Sequence, residues 1–133
     1  MTVYENNFVS FALKEDLKLL TVQWEKNEDV DQEVFYREMT ALAEHTEKHK
    51  PTYLLMDSTQ LMYSLNPENQ EWLIRQIIPR LNPAGVRKIA WVNPGERISK
   101  RSENQELHEL DWRFFNRVAD AEAWLVPPPV SDN

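Results

Sequence analysis

Hydrophobic and polar residues first alternate near the beginning of the chain. Residues 8–14 and 17–25 are β-rich runs joined around Glu15-Asp16. In the second, Leu17, Leu19, Thr21 and Gln23 fall on one side and Lys18, Leu20, Val22 and Trp24 on the other. A period of two is the mark of a strand with unlike faces, so an opening β-hairpin is predicted. The period then becomes helical. Phe35, Met39, Leu42 and Thr46 recur three or four residues apart, with Arg37, Glu38, Glu44 and Glu47 largely on other faces, which predicts an amphipathic helix from Asp31 to about Lys48. Asp29 is the expected cap, with Gln32 three residues on as its capping-box partner.

Pro51 ends that helix, and residues 52–56 form a compact apolar run of the kind that fits a strand covered on its faces. After a loop over residues 57–65, Asn66-Pro67 reads as an N-cap followed by proline at the first helical position, where a missing N–H costs nothing. The second helix carries a broad stripe of Leu73, Ile74, Ile77, Ile78 and Leu81. Pro79 should kink it or end it early. Pro83-Ala84-Gly85 is a turn, RKIAWV over residues 87–92 a short strand, and Pro94-Gly95 its stop. A helix around residues 102–110, a strand at 112–116 and a final helix at 119–125 complete the order, and Pro127-Pro128-Pro129 leaves as an extended, semi-rigid end. The sequence thus reads strand, strand, helix, strand, helix, strand, helix, strand, helix. Strands joined through a helix favour parallel pairing by right-handed crossover. The fold class predicted is α/β, of the α+β kind: a mixed sheet of about five strands with helices mainly on one face.

Composition narrows what such a fold can do. The chain has 133 residues, 41% of them hydrophobic and 11% aromatic, which suits one globular domain with a real core. Membrane insertion is not expected, because charge interrupts every apolar run. There is no cysteine, which excludes disulfides, thiol nucleophiles and thiolate zinc sites. A formal net charge of −7 repels nucleic-acid phosphate, so no nucleic-acid partner is expected. MTVYENNFVSFALKEDLK lacks a basic start, an apolar stretch and a small-residue cleavage site, and a cytoplasmic location is expected.

Particular residues then point to a family. They are Trp24 late in the second strand, Asp57 closing the third, Glu71-Trp72, Pro79, the RKIAWVNP segment, Phe114-Phe115, and Ala121-x-x-Trp124-Leu125. In this order the chain resembles the STAS domains, the anti-sigma-factor-antagonist-like fold, and more narrowly the small stand-alone bacterial members. The resemblance spans residues 8–125. It implies a single STAS-like domain over residues 1–126 with a Pro-rich tail at 127–133, and a regulatory role. In the phosphoregulated members, the strand ending in Asp is followed by Asp-Ser-Ser-Gly at the start of the next helix, one serine being the phosphoacceptor. The matching positions here are Leu65-Asn66-Pro67-Glu68, which offer no hydroxyl. The resemblance therefore does not carry the phosphoswitch over.

Asp57, Ser58 and Thr59 lie at a strand's carboxyl end, where open α/β sheets place ligands and chemistry, and with Ser64 and Asn66 they form the candidate ligand or regulatory site. The plainer reading is that Asp57 accepts backbone N–H bonds in a turn. A phosphoryl-receiver role for Asp57 fails on position, since the acidic pair Glu15-Asp16 sits in the hairpin turn. Arg97, Lys100 and Arg101, near Arg87 and Lys88, are the one basic concentration and a candidate contact for an anion or an acidic partner. A solvated helix start is the plainer account of them. His45 and His49 share a helical face at metal-ligand spacing, but two ligands without an HExxH motif do not make a site, and no metal or cofactor is predicted. Trp24, Trp91 and Trp124 read as core or core-edge, Trp72 and Trp112 as partly exposed.

Two functions follow. One is a non-catalytic regulatory or protein-interaction module of STAS type, with a protein partner and a possible homodimer among its assemblies. The alternative is a binder of a small hydrophobic or lipid-like ligand in a groove between helices and sheet. No catalytic constellation can be assembled, which places an enzyme third.

Overall fold

A computed structural model describes residues 1–93 and 110–126 of the chain. The described strands form one six-stranded mixed sheet in sequence order: β1 (Thr2–Glu5), β2 (Val9–Lys14), β3 (Leu19–Trp24), β4 (Tyr53–Asp57), β5 (Lys88–Val92) and β6 (Asp111–Phe115). The first three pair antiparallel. From β3 to β6 all pairing is parallel, in a continuous register that sets Leu20, Leu54, Ile89 and Trp112 side by side.

The expected mixed α+β sheet is thus present, with one strand more than the five expected. That strand is β1. TVYE is too short to show an alternation of its own, and its pairing is irregular between Thr2 and Tyr4. Tertiary contacts make it a strand: Leu13 N–H donates to Met1 O at 2.7 Å, and the Tyr4 ring lies 4.7 Å from that of Phe11. The turn of the hairpin β2–β3 is longer than the two residues the sequence suggested. Its turn covers Glu15 to Lys18, with Lys18 at φ 56°, and Leu17 is left exposed.

Helix α1 (Gln32–His49) connects β3 to β4. Its cap is Asp31, not Asp29, and the Asp31 carboxylate accepts from Val34 N–H at 2.9 Å. Lys50 at φ 52° closes it, donating to Thr46 O. The second helical segment is α2 (Pro67–Trp72), a π-turn (Leu73–Ile77) and α3 (Ile78–Leu81). Pro79 explains the break: it has no N–H to give and its ring would strike the carbonyl of Arg75, four residues back. Widening the preceding turn, so that Ile78 N–H reaches Leu73 O, lets the chain pass the proline without leaving the core. Helix α4 (Val118–Leu125) follows β6. The helix expected around residues 102–110 lies mostly, and the tail at 127–133 wholly, outside the described residues.

Two layers of side chains result, because successive strand residues point to opposite faces. On one face, Phe11, Leu20, Val22, Trp24, Leu54, Met56 and Ile89 pack under α1 and the α2–α3 segment. Trp24 stacks on Phe35 with centroids 5.8 Å apart, a geometry that adds about 1 kcal/mol to the area buried. On the other face, Leu19, Leu55, Ala90 and Val92 pack against Ala121 and Leu125 of α4. Lys88 fastens α4 there, its Nζ 3.1 Å from Trp124 O and 4.9 Å from that ring's centroid. Trp112, expected to be partly exposed, is buried at the first face beside Trp91. No helix among the described residues is long and apolar enough to cross a membrane.

Candidate functional site

The carboxyl ends of β4, β5 and β6 meet at one rim of the sheet. Backbone pairing continues past the strands there, with Ser58 N–H donating to Val92 O at 3.0 Å and Asn93 N–H to Phe115 O at 3.0 Å. Asp57 is buried at this rim, only 8% exposed. Its Oδ1 accepts from Thr59 N–H at 3.0 Å, while Leu61 N–H returns to Ser58 O at 3.1 Å. This is a side chain closing its own loop, as the plainer reading of the sequence had it. Ser58 and Thr59 are half-buried beside it, whereas Ser64 and Asn66 are exposed.

The candidate residues do not converge. Asp57 follows Leu55 by two and stands level with Gln23 and Val92, so it belongs to the α4 side of the sheet. Asn66 caps α2, on the opposite side. Among the described residues no hydrogen bond joins Asp57 to Ser64 or Asn66. Arg97, Lys100 and Arg101 lie outside the described residues.

Asn66 instead takes part in something the sequence reading passed over. Its Oδ1 accepts from Asn69 N–H at 2.7 Å, and the Asn69 Oδ1 accepts from Asn66 N–H at 3.0 Å, a reciprocal cap. Asn69 is wholly buried. Its Oδ1 also accepts from Tyr63 OH at 3.0 Å, and its Nδ2 donates to Gln32 Oε1 and Tyr36 OH, each at 3.1 Å. Gln32, expected in a capping box of α1, is thus turned toward α2. The spacing Asn66-x-x-Asn69 was a readable signal for the cap; the partners on α1 were not.

A second polar node lies between β1 and α1. Glu38 is also wholly buried, accepting from Tyr4 OH at 2.9 Å through Oε1, and from Asn6 Nδ2 at 2.9 Å and the Arg37 guanidinium at 3.1 Å through Oε2. Burial, then the hydrogen bond to Glu38, raises the Tyr4 pKa above its ordinary value. The same β1–α1 seam holds His45, whose ring is 4.9 Å from Tyr4 and 5.6 Å from Phe11, with His49 stacked at 6.0 Å. Burial first, then His49 and Lys48, lowers the His45 pKa. Its Nδ1 is buried and has no hydrogen-bond partner among the described residues, so the orienting acceptor that usually backs a metal-bound imidazole is lacking. Among the described residues no group of three or more His, Asp or Glu side chains could hold a metal ion.

Near the Asn69 node the rings of Tyr36 and Trp72 stack face to face, 4.0 Å apart and inclined by 17°. Both are half-buried. Compared with family models, curated proteins and solved structures, the chain matches none.

Proposed function

We propose that the protein is a non-catalytic interaction module of STAS type, one that acts through contact with a protein partner. The observation that carries this reading is how the strand-to-helix corner uses its polar groups. Asp57 closes its own loop and Asn66 is locked with Asn69 in the cap, so both side chains serve to hold the backbone of this corner. The sheet supports the STAS comparison: an antiparallel start, three parallel pairings, and α1 with the α2–α3 segment packed together on one face. Half-buried aromatic rings on that helical face are of the type enriched in protein interfaces.

The test is affinity capture from a native lysate followed by reconstitution from purified components. A stable complex, or a dimer of this chain in solution, is the expected result. No stable partner of either kind, or a turnover lost on changing one polar side chain, would remove the reading.

One observation favours the alternative, a small hydrophobic or lipid-like ligand. The Trp91 indole N–H is buried without an acceptor among the described residues, and its ring lies 6.5 Å from those of both Trp112 and Phe114. A ligand with an apolar body and one carbonyl or ether oxygen would satisfy it. Native mass spectrometry of the protein as purified decides this: an added mass supports the alternative, and an unliganded mass dismisses it.

A further inference from the structure

The interaction reading leaves the partner's chemistry open, and the pairing of α1 with α2 narrows it. Gln32 Oε1 and Asn69 Nδ2, 3.1 Å apart, hold the first turns of α1 and α2 side by side. One turn further along, Tyr36 and Trp72 stack across the same seam. Residues three and four apart share a helical face. Glu33 therefore stands over Tyr36, and Glu68 over Trp72. Both carboxylates are exposed and neither is in an ion pair among the described residues. Glu71, by contrast, is taken up by Arg75 at 2.8 Å.

Each acid also suits the positive end of its own helix, which accounts for its place in a first turn. Tyr36 and Trp72 pack against the core, yet each stays partly exposed on the helix face it shares with its acid. A ring stack presents a negative π-face, and a guanidinium lying on it can also bond a carboxylate at its rim. The surrounding chain carries a net charge of −7, which draws in a basic partner and repels an acidic one. Resting on the interaction reading, we infer that the α1–α2 seam around Tyr36 and Trp72 is the docking site for an arginine-bearing segment of a partner protein. The arginine lies on the ring stack, with Glu33 and Glu68 as its counter-ions.

The experiment uses the full chain, labelled with 15N, and a short capped peptide of alternating Arg and Gly, with Lys-Gly and Glu-Gly peptides as controls. The Trp72 indole signal is assigned from Trp72→Phe. The Arg-Gly peptide should move the Trp72 indole and the amides of residues 33 and 68, the Lys-Gly peptide should do so more weakly, and the Glu-Gly peptide should not. Glu33→Gln with Glu68→Gln, which keeps size and leaves the core untouched, should weaken binding at least about fivefold, as should Trp72→Ala. Shifts spread over the acidic surface without Trp72, or unchanged binding by the double variant, would overturn the inference. If a reconstituted partner complex ignores the double variant, the docking site is wrong while the interaction reading stands; if no partner exists, both fall, whatever the peptide does.

Discussion

Two buried polar side chains tie α1 to its neighbours, and they solve the same problem with opposite chemistry. Glu38, at the β1 seam, is an acceptor-only group surrounded by donors: Tyr4, Asn6 and Arg37. Asn69, at the α2 seam, is neutral and matched, with two donors to its Oδ1, the Tyr63 hydroxyl and the Asn66 N–H, and two acceptors for its Nδ2, Gln32 and Tyr36. Its backbone N–H closes the cap by donating to Asn66 Oδ1. A buried carboxylate depends on each donor more heavily than a buried amide does, because a lost partner strands a charge rather than a dipole. The two seams should therefore differ in what they tolerate.

The largest effect should come from removing the hub that is shared most widely. Asn69→Ala deletes the bonds to Tyr63, Asn66, Gln32 and Tyr36 together and leaves several of them in a dry site. It should cost about 3–4 kcal/mol in denaturant unfolding, with the α2 N-terminus losing its cap. A cost under about 1 kcal/mol would mean that water replaces the amide and that the seam is not closed.

A matched pair of deletions then isolates the effect of charge. Tyr4→Phe and Tyr63→Phe each remove one hydroxyl from one node. The Oε1 of Glu38 has Tyr4 as its hydrogen-bond donor, while Asn69 Oδ1 keeps Asn66 N–H when Tyr63 is lost. Tyr4→Phe should cost about 2 kcal/mol and Tyr63→Phe about 1 kcal/mol. Equal costs would show that Arg37, whose side chain is 56% exposed, brings enough solvent to screen the carboxylate.

What could be read from the sequence followed the same division between local and distant causes. The stripe Phe35, Met39, Leu42 and Thr46, the alternation Leu20, Val22, Trp24, and the cap at Asn66-Pro67 are local patterns, and all three are where the sequence puts them. Glu38 was placed off the apolar stripe although it is wholly buried. The donors that make its burial tolerable come from β1 and the loop after it, more than thirty residues away in sequence, and β1 itself has too few residues to declare a period. Of the candidate site, the strand-end position and the turn chemistry of Asp57 were legible. That Asp57 and Asn66 fall on opposite sides of the sheet was not, because it depends on where α4 and α2 pack. The shift of the cap from Asp29 to Asp31 has a simpler cause: two acids stand two residues apart, and Val30 between them is buried.

The smallest effect tests whether the β1 seam alone responds to pH. Burial depresses the His45 pKa below its ordinary value of 6.5, with His49 and Lys48 adding to the shift and Glu44 opposing it. A histidine depressed in the folded state binds protons more readily when unfolded. Its contribution is therefore fully present above pH 6.5 and is lost as pH falls from there through the folded value. Protonated His45 would sit under Tyr4 and against Phe11, so the loosening should appear in β1 and β2. Amide exchange compared at pH 8 and pH 5 should show faster opening of residues 2–5 and 9–14 at the lower pH, relative to residues 67–72, where Asn69 has no titrating side chain among its bonded partners apart from the tyrosines. His45→Phe keeps an aromatic ring between Tyr4 and Phe11 and should flatten that difference. If the variant keeps the full pH dependence, the response does not come from His45 and the prediction fails.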